Sequence, residues 1–373
     1  MDDLSFYRDY GYMNIGPVVT EFMRWVLERT QGNPIFGVMR EGRLLTRVAN
    51  QLSGKSNTAQ EVWLSRYVCL KAAITSLEDV EALENFLFRA RGQLLRKAGI
   101  LRHFELERFA DSWPLSQTEE IGADNWKGVH AWLCEPQIAE TLLAVTGRER
   151  ANLMRYLRER GALKQDVLRL VDLGYAGNTQ HALQKILNHE ALSITTHGYY
   201  LVATAGIRHA ERSGCKIEGF LSHAGLPQEF TSVFARTPEL MEACLTTPGV
   251  GSLLGYDAQG QPICERSLVP QEQDQAVTAI QEGICAYVAT HLTSERQTAS
   301  ALRALVERML LSPSLEEATN LGAFQYDDNF GEVTVRGLAR PEGGAVAYSD
   351  SLSRRQLIWP AATALIENPS LIS

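Results

Sequence analysis

The chain has 373 residues, of which 45% are hydrophobic and 21% charged, and its formal net charge is −8. This composition is ordinary for a globular protein that buries a sizeable core in one large domain or two smaller ones. The acidic balance argues against a broad nucleic-acid-binding surface. The six cysteines form no CxxC pair, so reduced thiols in a cytoplasmic protein are the simplest interpretation. The start lacks the pattern of a signal peptide, and no run of about 18 apolar residues predicts a membrane span.

The first predicted elements are a helix, a strand and a second helix. Apolar residues at helical spacing after Gly16-Pro17 predict a helix with the proline in its first turn. Residues 35–39 are a short apolar run typical of a buried strand, and a second helical pattern follows. The loop between them carries Arg40 and Arg43, and arginine can hold a phosphate through two parallel hydrogen bonds. A solvated loop with an ion pair to Glu41 is the alternative.

A further strand and a long helical insertion come next. Residues 61–66 resemble a short strand with Arg66 at its polar tip. Residues from about 68 to 162 lack strand patterns, and their apolar spacing predicts several helices. Because these helices interrupt the sheet between its second and third strands, we expect a helical cap inserted into one α/β domain that spans residues 1–373.

The most informative stretch is a strand, a glycine loop and a helix between residues 167 and 187. A run rich in Val and Leu ends at Asp172, turns through Gly174 and Gly177, and restarts with apolar residues at helical spacing. Asp172 therefore stands at the carboxyl end of a strand, where open parallel sheets bind their ligands.

The residues after this loop favour an anion site. Asn178 and Thr179 are good helix N-cap residues, and the free N–H groups at a helix N-terminus attract phosphate. The pattern predicts a phosphate cradle with one acid beside it. Strand, glycine turn and helix also occur in many α/β domains that bind nothing there, so a structural loop is the alternative.

The C-terminal half predicts strands at 198–203 and 217–221, and a short helix from Pro238 that carries Glu239 and Glu242. It also predicts a hairpin of 251–256 with 262–265, and a helical elaboration over about 270–311. Strands that alternate with helices through long connections predict an α/β fold of Rossmann-like type. Its sheet is mainly parallel with helices on both faces.

Residues 170–172 through Gly177-Asn178-Thr179 resemble the loop of the phosphoribosyltransferase fold that binds the 5-phosphate and ribose of phosphoribosyl pyrophosphate. The family usually has two adjacent acids, whereas Leu173 follows Asp172 here, and Ala176-Gly177-Asn178-Thr179 stands where Thr-Gly-Gly-Thr is usual. Residues 36–42 are similar to the family's earlier strand and pyrophosphate loop. The resemblance implies a phosphoribosyltransferase-like sheet.

A second resemblance covers most of the chain. Gly11-Tyr12 with Gly16-Pro17, residues 36–42, 64–66, 171–180 and 251–256 occur in an order that is similar to the module following haloacid-dehalogenase-like domains in surface-polysaccharide gene clusters. The phosphatase domain of those proteins is not expected, because no Asp-x-Asp ends an early strand. This resemblance implies a role in polysaccharide biosynthesis and little about chemistry.

The first functional hypothesis is a transferase that binds a sugar phosphate or phosphoribosyl pyrophosphate and moves the glycosyl or phosphoribosyl group. Asp172 would bind the sugar hydroxyls or Mg²⁺, and the N–H groups from Gly174 to Thr179 would hold a phosphate. The leaving pyrophosphate would be neutralised by three arginines, Arg40, Arg43 and Arg66. Glu242, or Glu239, would orient the acceptor.

Two other functions are alternatives to glycosyl transfer. In one, the chain is a non-catalytic binding or regulatory protein in which a nucleotide-like ligand or sugar phosphate controls a protein partner. The missing second acid favours that alternative. The other is hydrolysis by a histidine-dependent site at His181, His197 or His223, but Gly-x-Ser-x-Gly is absent and structural histidines are the simpler interpretation.

Overall fold

A computed structural model describes residues 4–80, 97–116, 121–122, 124–327, 335–339 and 357–368. Its main strands are β1 Ile35–Val38, β2 Ala59–Val62, β3 Val167–Tyr175, β4 Thr195–Ala203 and β5 Lys216–Ser222. They form one sheet in the order β2-β1-β3-β4-β5, and every neighbouring pair is parallel. The α/β fold predicted from the alternation of strands and helices is confirmed.

Helices account for most of the other described elements. They are α1 Ser5–Tyr10, α2 Gly16–Thr30, α3 Gly42–Ser53, α4 Arg66–Ala72, α5 Lys97–His103, α6 Trp126–Leu133, α7 Pro136–Glu159, α8 Asn178–His189, α9 Ile207–Arg212, α10 Gln228–Phe234, α11 Pro238–Leu245, α12 Gln271–Thr290, α13 Ala299–Leu311, α14 Leu315–Gly322 and α15 Pro360–Glu367. Two antiparallel hairpins complete the chain: β6 Val250–Tyr256 with β7 Pro262–Arg266, and β8 Gln325–Asp327 with β9 Val335–Gly337.

Helices pack on both faces of the sheet, as the alternating burial of β3 shows. Leu168 and Leu170 join a hydrophobic cluster with α7 and α8, while Val171 and Leu173 join another with α2, α12 and α13. This is the two-residue period of a strand whose faces are both covered. No helix in the described ranges is both long and apolar enough to cross a bilayer.

Two buried amides fix helix α8 against the sheet. The Gln180 Nε2 donates to the carbonyl oxygens of Thr196, at 3.1 Å, and Lys216, at 2.9 Å, while its Oε1 accepts from the Tyr200 hydroxyl at 2.8 Å. One turn later, Gln184 Oε1 accepts from the backbone N–H of Thr196 at 2.7 Å. Buried polar groups with full sets of partners hold a single geometry, so the start of α8 is tied to β4 and β5.

The predicted strand over 61–66 is wrong in its extent. Strand β2 ends at Val62, and the Ser65 Oγ accepts from the backbone N–H of Val68 at 3.1 Å as the N-cap of α4. Serine is a strong N-cap residue, and its bond makes Arg66 the first residue of a helix.

The helix predicted after Gly16 is confirmed as α2, with Pro17 in its first turn. Helix α1 and a π-helical turn over Gly11–Ile15 precede α2 without a break. Because proline lacks an N–H for the preceding turn, a locally wider turn lets the helix continue through it. The short helix at Pro238 begins where predicted, although the side chain of Thr237 makes no capping hydrogen bond.

The described residues between β2 and β3 contain helices α4 to α7 and no strand, as the spacing of apolar residues indicates. Three tryptophans of this insertion, Trp113, Trp126 and Trp132, lie in a hydrophobic cluster of its own. The predicted helical stretch over 270–311 consists of α12 and α13, which residues 291–298 separate. The six cysteines all have free thiols.

Candidate functional site

A cavity of about 670 Å³ opens at the carboxyl ends of the strands and is lined by residues that follow β1, β2, β3 and β4. The strand order places β2 on one side of β1 and β3 on the other. The connection from β1 leads to β2 at one edge of the sheet, whereas the connection from β3 leads to β4 on the other side. At such a switch point the two connecting loops diverge and leave a crevice between them. The loops that carry Arg40 and Asp172 meet at this point.

The predicted phosphate cradle lies at the N-terminus of α8. Gly177 occupies the N-cap position with φ of 75°, and Asn178 and Thr179 are the first helical residues rather than caps. As the N-cap, Gly177 makes no side-chain capping hydrogen bond. All three residues line the cavity, so it contains a helix N-terminus of the kind that binds anions.

Gly174 has a different role from the one expected for a phosphate loop. It lies within β3 with φ of 105°, and a Cβ there would stand 2.5 Å from the ring of Tyr200. The backbone N–H groups of Leu173 and Gly174 lower the pKa of Asp172. Gly174 thus lines the cavity, while its N–H favours the ionised form of the neighbouring acid.

Two of the three predicted arginines line the cavity, Arg40 after β1 and Arg66 at the start of α4. The backbone carbonyl of Arg40 accepts from the Thr247 hydroxyl at 2.7 Å, and the Met39–Arg40 peptide bond is cis. Arg43 is not part of the lining. Its Nε lies 2.9 Å from Glu61 Oε2. Arg43 therefore pairs with Glu61, whereas the charge of Arg40 acts on Glu41 and lowers its pKa.

Four acids, Glu41, Asp172, Glu239 and Glu242, line the same cavity. The pKa of Asp172 is raised to about 7, chiefly by burial and also by the charge of Glu242, against the lowering effect of the backbone N–H groups of Leu173 and Gly174. Burial also raises the pKa of Glu41 to about 8, with contributions from Glu242 and Asp172 against the opposing charge of Arg40. Acids that hold protons near neutral pH are suited to proton transfer.

Sequence reasoning missed Glu41 as a site residue, because it considered this glutamate only as a partner for the loop arginines. It also missed the phenols of Tyr175, Tyr200 and Tyr326, which line the cavity. The Tyr326 hydroxyl donates to the carboxylate of Glu242. In the sequence, only their positions could have identified two of these residues as part of the site, because Glu41 is next to Arg40 and Tyr175 is next to the glycine loop.

Within the described ranges, no three His, Cys, Asp or Glu side chains are arranged to hold a metal ion by themselves. Mg²⁺ commonly takes one or two carboxylates and completes its shell with water and substrate phosphate oxygens. Asp172 fits that pattern beside the anion cradle. The three histidines considered for hydrolysis, His181, His197 and His223, do not line the described cavity.

The chain matches no protein-family model, and no curated protein is significantly similar to it.

Proposed function

We propose that the chain is an enzyme that binds a diphosphate-activated sugar phosphate, with phosphoribosyl pyrophosphate as the model donor, and transfers its glycosyl group. The observation that supports this most is convergence at one crevice. A helix N-terminus suited to an anion, two arginines and four acids line a single cavity at the switch point between β1 and β3. A donor of this kind needs anion binding at both ends and acids near the sugar between them.

Each group has a role that follows from its charge and place. The N–H groups at Gly177, Asn178 and Thr179 would hold the monophosphate. Arg40 and Arg66 would neutralise the diphosphate as it leaves, which lowers the free energy of the charge that develops. These positively charged donors balance an otherwise acidic pocket.

The acids divide the remaining work. Asp172 would bind the sugar hydroxyls, alone or through Mg²⁺, because it lines the cavity beside the anion cradle. Glu242, which accepts from the Tyr326 hydroxyl, would orient the acceptor and take its proton. A soluble ligand of the nucleotide or sugar-phosphate class and a cytoplasmic location belong to the same proposal.

The second candidate is a regulatory protein that binds the same ligand without turnover, and one observation favours it. The position after Asp172, where phosphoribosyltransferases usually carry a second acid, is Leu173, whose side chain is 2% exposed in the hydrophobic core. A site with its anion groups and one acid could bind a donor and control a partner protein.

Thermal unfolding against a ligand panel tests both candidates. The panel contains phosphoribosyl pyrophosphate, ribose 5-phosphate, inorganic pyrophosphate and nucleotide sugars, each with and without Mg²⁺. A ligand at about 100 times its Kd stabilises the native state by about 2.7 kcal/mol, which shifts Tm measurably. Pyrophosphate release is then followed for each ligand that binds. Binding with release supports the enzyme, binding without release supports the regulatory protein, and no binding by any phosphorylated ligand overturns both.

A further inference from the structure

One wall of the cavity is formed by five consecutive residues that follow β2. Trp63, Leu64, Ser65, Arg66 and Tyr67 all line it, and we call residues 63–67 the β2 wall. Strand β2 pairs with β1 only as far as Val62, which is opposite Val38. The β2 wall therefore begins where the hydrogen bonds of the sheet end, and its position must come from other contacts.

Those contacts are made by two tyrosine hydroxyls on the backbone of Trp63. The Trp63 N–H donates to the Tyr156 hydroxyl at 2.7 Å, and the Tyr256 hydroxyl donates to the Trp63 carbonyl. Both backbone polar groups of the first wall residue are thus satisfied by side chains. A buried backbone group without a partner is costly, so these two bonds define where the chain leaves the sheet.

The two tyrosines come from distant parts of the sequence and support each other. Tyr156 lies on α7 of the insertion and Tyr256 at the end of β6, each 3% exposed. Their rings are stacked with centroids 4.8 Å apart. Asn152, one turn before Tyr156, donates to the Tyr256 carbonyl at 3.1 Å. The pair therefore joins the insertion to the β6–β7 hairpin behind the wall.

The two tyrosines affect the ligand site through the position of the β2 wall. β1 separates β2 from β3 in the sheet, and adjacent strands lie about 4.8 Å apart, so the ends of β2 and β3 are roughly 10 Å apart. The wall carries Arg66 on the β2 side, whereas the cradle of Gly177, Asn178 and Thr179 follows β3. The separation of Arg66 from the cradle is set by how the wall is held.

We propose that Tyr156 and Tyr256 are positioning residues whose hydroxyls hold the β2 wall, and with it Arg66, at the distance from the cradle that a diphosphate-bearing ligand requires. The inference rests on the proposed function for the identity of the ligand. It predicts that the hydroxyls matter for the diphosphate end of the ligand and not for its monophosphate end. Neither tyrosine needs to touch the ligand.

The variants Tyr156→Phe, Tyr256→Phe and the double variant remove the hydroxyls and keep the stacked rings. Because Arg66 is then no longer held at the required distance from the cradle, the double variant should bind inorganic pyrophosphate with Mg²⁺ about tenfold more weakly, which corresponds to about 1.4 kcal/mol. Its affinity for ribose 5-phosphate should change less than about twofold. Tyr287→Phe is the matched control, since its hydroxyl accepts from Gln297 at 3.0 Å and it lies outside the cavity lining.

A tyrosine pair that only stabilises the fold would lower Tm without separating the two ligands. Equal loss for pyrophosphate and ribose 5-phosphate, or no loss for either, would overturn the positioning role.

A second readout needs no ligand and keeps this inference separable from the proposed function. In protein labelled with fluorotryptophan, the Trp63 resonance is assigned by its disappearance in Trp63→Phe. We expect it to shift or broaden in the double variant and to stay unchanged in Tyr287→Phe. If the wild type binds neither ligand, the proposed function fails, and an unchanged Trp63 resonance in the double variant would overturn the positioning role as well.

Discussion

The Nε of Arg43 lies 2.9 Å from Oε2 of Glu61, and this ion pair accounts for the different fates of the two arginines in the loop after β1. The guanidinium of Arg43 also stands 5.9 Å from the ring centroid of Trp63, whereas Arg40 lines the cavity. The sequence predicts the same phosphate-binding role for both arginines, but the ion pair with Glu61 on β2 holds Arg43 outside the cavity lining.

This separation makes Arg43→Ala a matched control for Arg40→Ala. A hydrogen bond to a charged group contributes about 1.5–3 kcal/mol, so Arg40→Ala should weaken binding of inorganic pyrophosphate about 10-fold to 100-fold. Ribose 5-phosphate should be affected less. Arg43→Ala should leave both affinities within about twofold and cost at most about 1 kcal/mol of stability, as for a half-exposed ion pair. Isothermal titration measures the affinities. Equal losses in the two variants would contradict the assignment of Arg40 to the diphosphate.

Asp172→Asn should abolish glycosyl transfer while the fold is retained, because the amide cannot supply the carboxylate charge that binds Mg²⁺ or the sugar hydroxyls. Release of pyrophosphate from the donor is the measurement. Glu229→Gln, on α10 and outside the cavity lining, is the control and should keep full turnover. Turnover at the wild-type rate in Asp172→Asn would remove this acid from the mechanism.

The same variant reports on the pKa of Asp172, which burial raises to about 7 in the folded chain. The pKa of the unfolded carboxyl is about 3.9. Because the folded state holds the proton more tightly, the stabilising contribution of the neutral acid is complete below about pH 4 and is lost as the pH rises to about 7. The wild type and Asp172→Asn should therefore have similar Tm values at low pH. The variant should become the more stable protein between those two pKa values and remain so at pH 8. A constant Tm difference across this range would contradict the raised pKa.

Gly177→Ala tests how strictly the cradle needs glycine. A non-glycine residue in the left-handed region costs about 1–2 kcal/mol, and at Gly177 an added Cβ would also lie 2.7 Å from Ile217 Cδ1. Gly54→Ala is the control, because Gly54 has φ of 64° with nothing within 4 Å of its Cβ position. Denaturant unfolding should show a larger loss for Gly177→Ala than for Gly54→Ala. Adding Ile217→Val to Gly177→Ala removes the clashing methyl and should reduce the difference in lost stability between Gly177→Ala and Gly54→Ala. An unchanged difference would show that the contact with Ile217 does not cause the larger loss.

Gln180→Leu should destabilise the chain by about 3 kcal/mol, because the buried groups that this amide bonds lose their partners. Those groups are the carbonyls of Thr196 and Lys216 and the hydroxyl of Tyr200. In the double variant with Tyr200→Phe, the unpaired hydroxyl is gone, so the total loss should be smaller than the sum of the two single losses by about 1 kcal/mol. Strict additivity would show that the Tyr200 bond does not contribute.

The order of strands and helices could be predicted from the sequence because the sheet is buried on both faces. Residues 35–38 and 167–173 are apolar nearly throughout, and each is followed by a glycine loop and a helical pattern. The position of Asp172 follows from the same pattern of apolar strand, glycine loop and helix. Asp172 lies near the carboxyl end of β3, which continues to Tyr175 and neighbours β1, so the strand order places it beside the loop of Arg40.

The predictions that were wrong or incomplete concern residues whose contacts are distant in the sequence. The partner of Arg43 is on β2, 18 residues away, and the local pattern around Glu61 does not reveal it. Glu41 joins the acid cluster only because α11 brings Glu242 beside it. Residues 61–66 are predicted as a strand because Val62, Trp63 and Leu64 are apolar, whereas the Ser65 cap and the two tyrosine hydroxyls end the sheet after Val62.

Phosphorus NMR of phosphoribosyl pyrophosphate with Mg²⁺ tests the central claim most directly, because the monophosphate and the two diphosphate phosphorus atoms give separate signals. With the wild type, we expect all of them to shift or broaden. With Arg40→Ala, the effect on the diphosphate signals should be reduced and that on the monophosphate retained. With Arg43→Ala, the spectrum should match the wild type. Signals that stay at their free positions with the wild type at millimolar ligand would contradict the claim that this crevice binds a diphosphate-activated sugar phosphate.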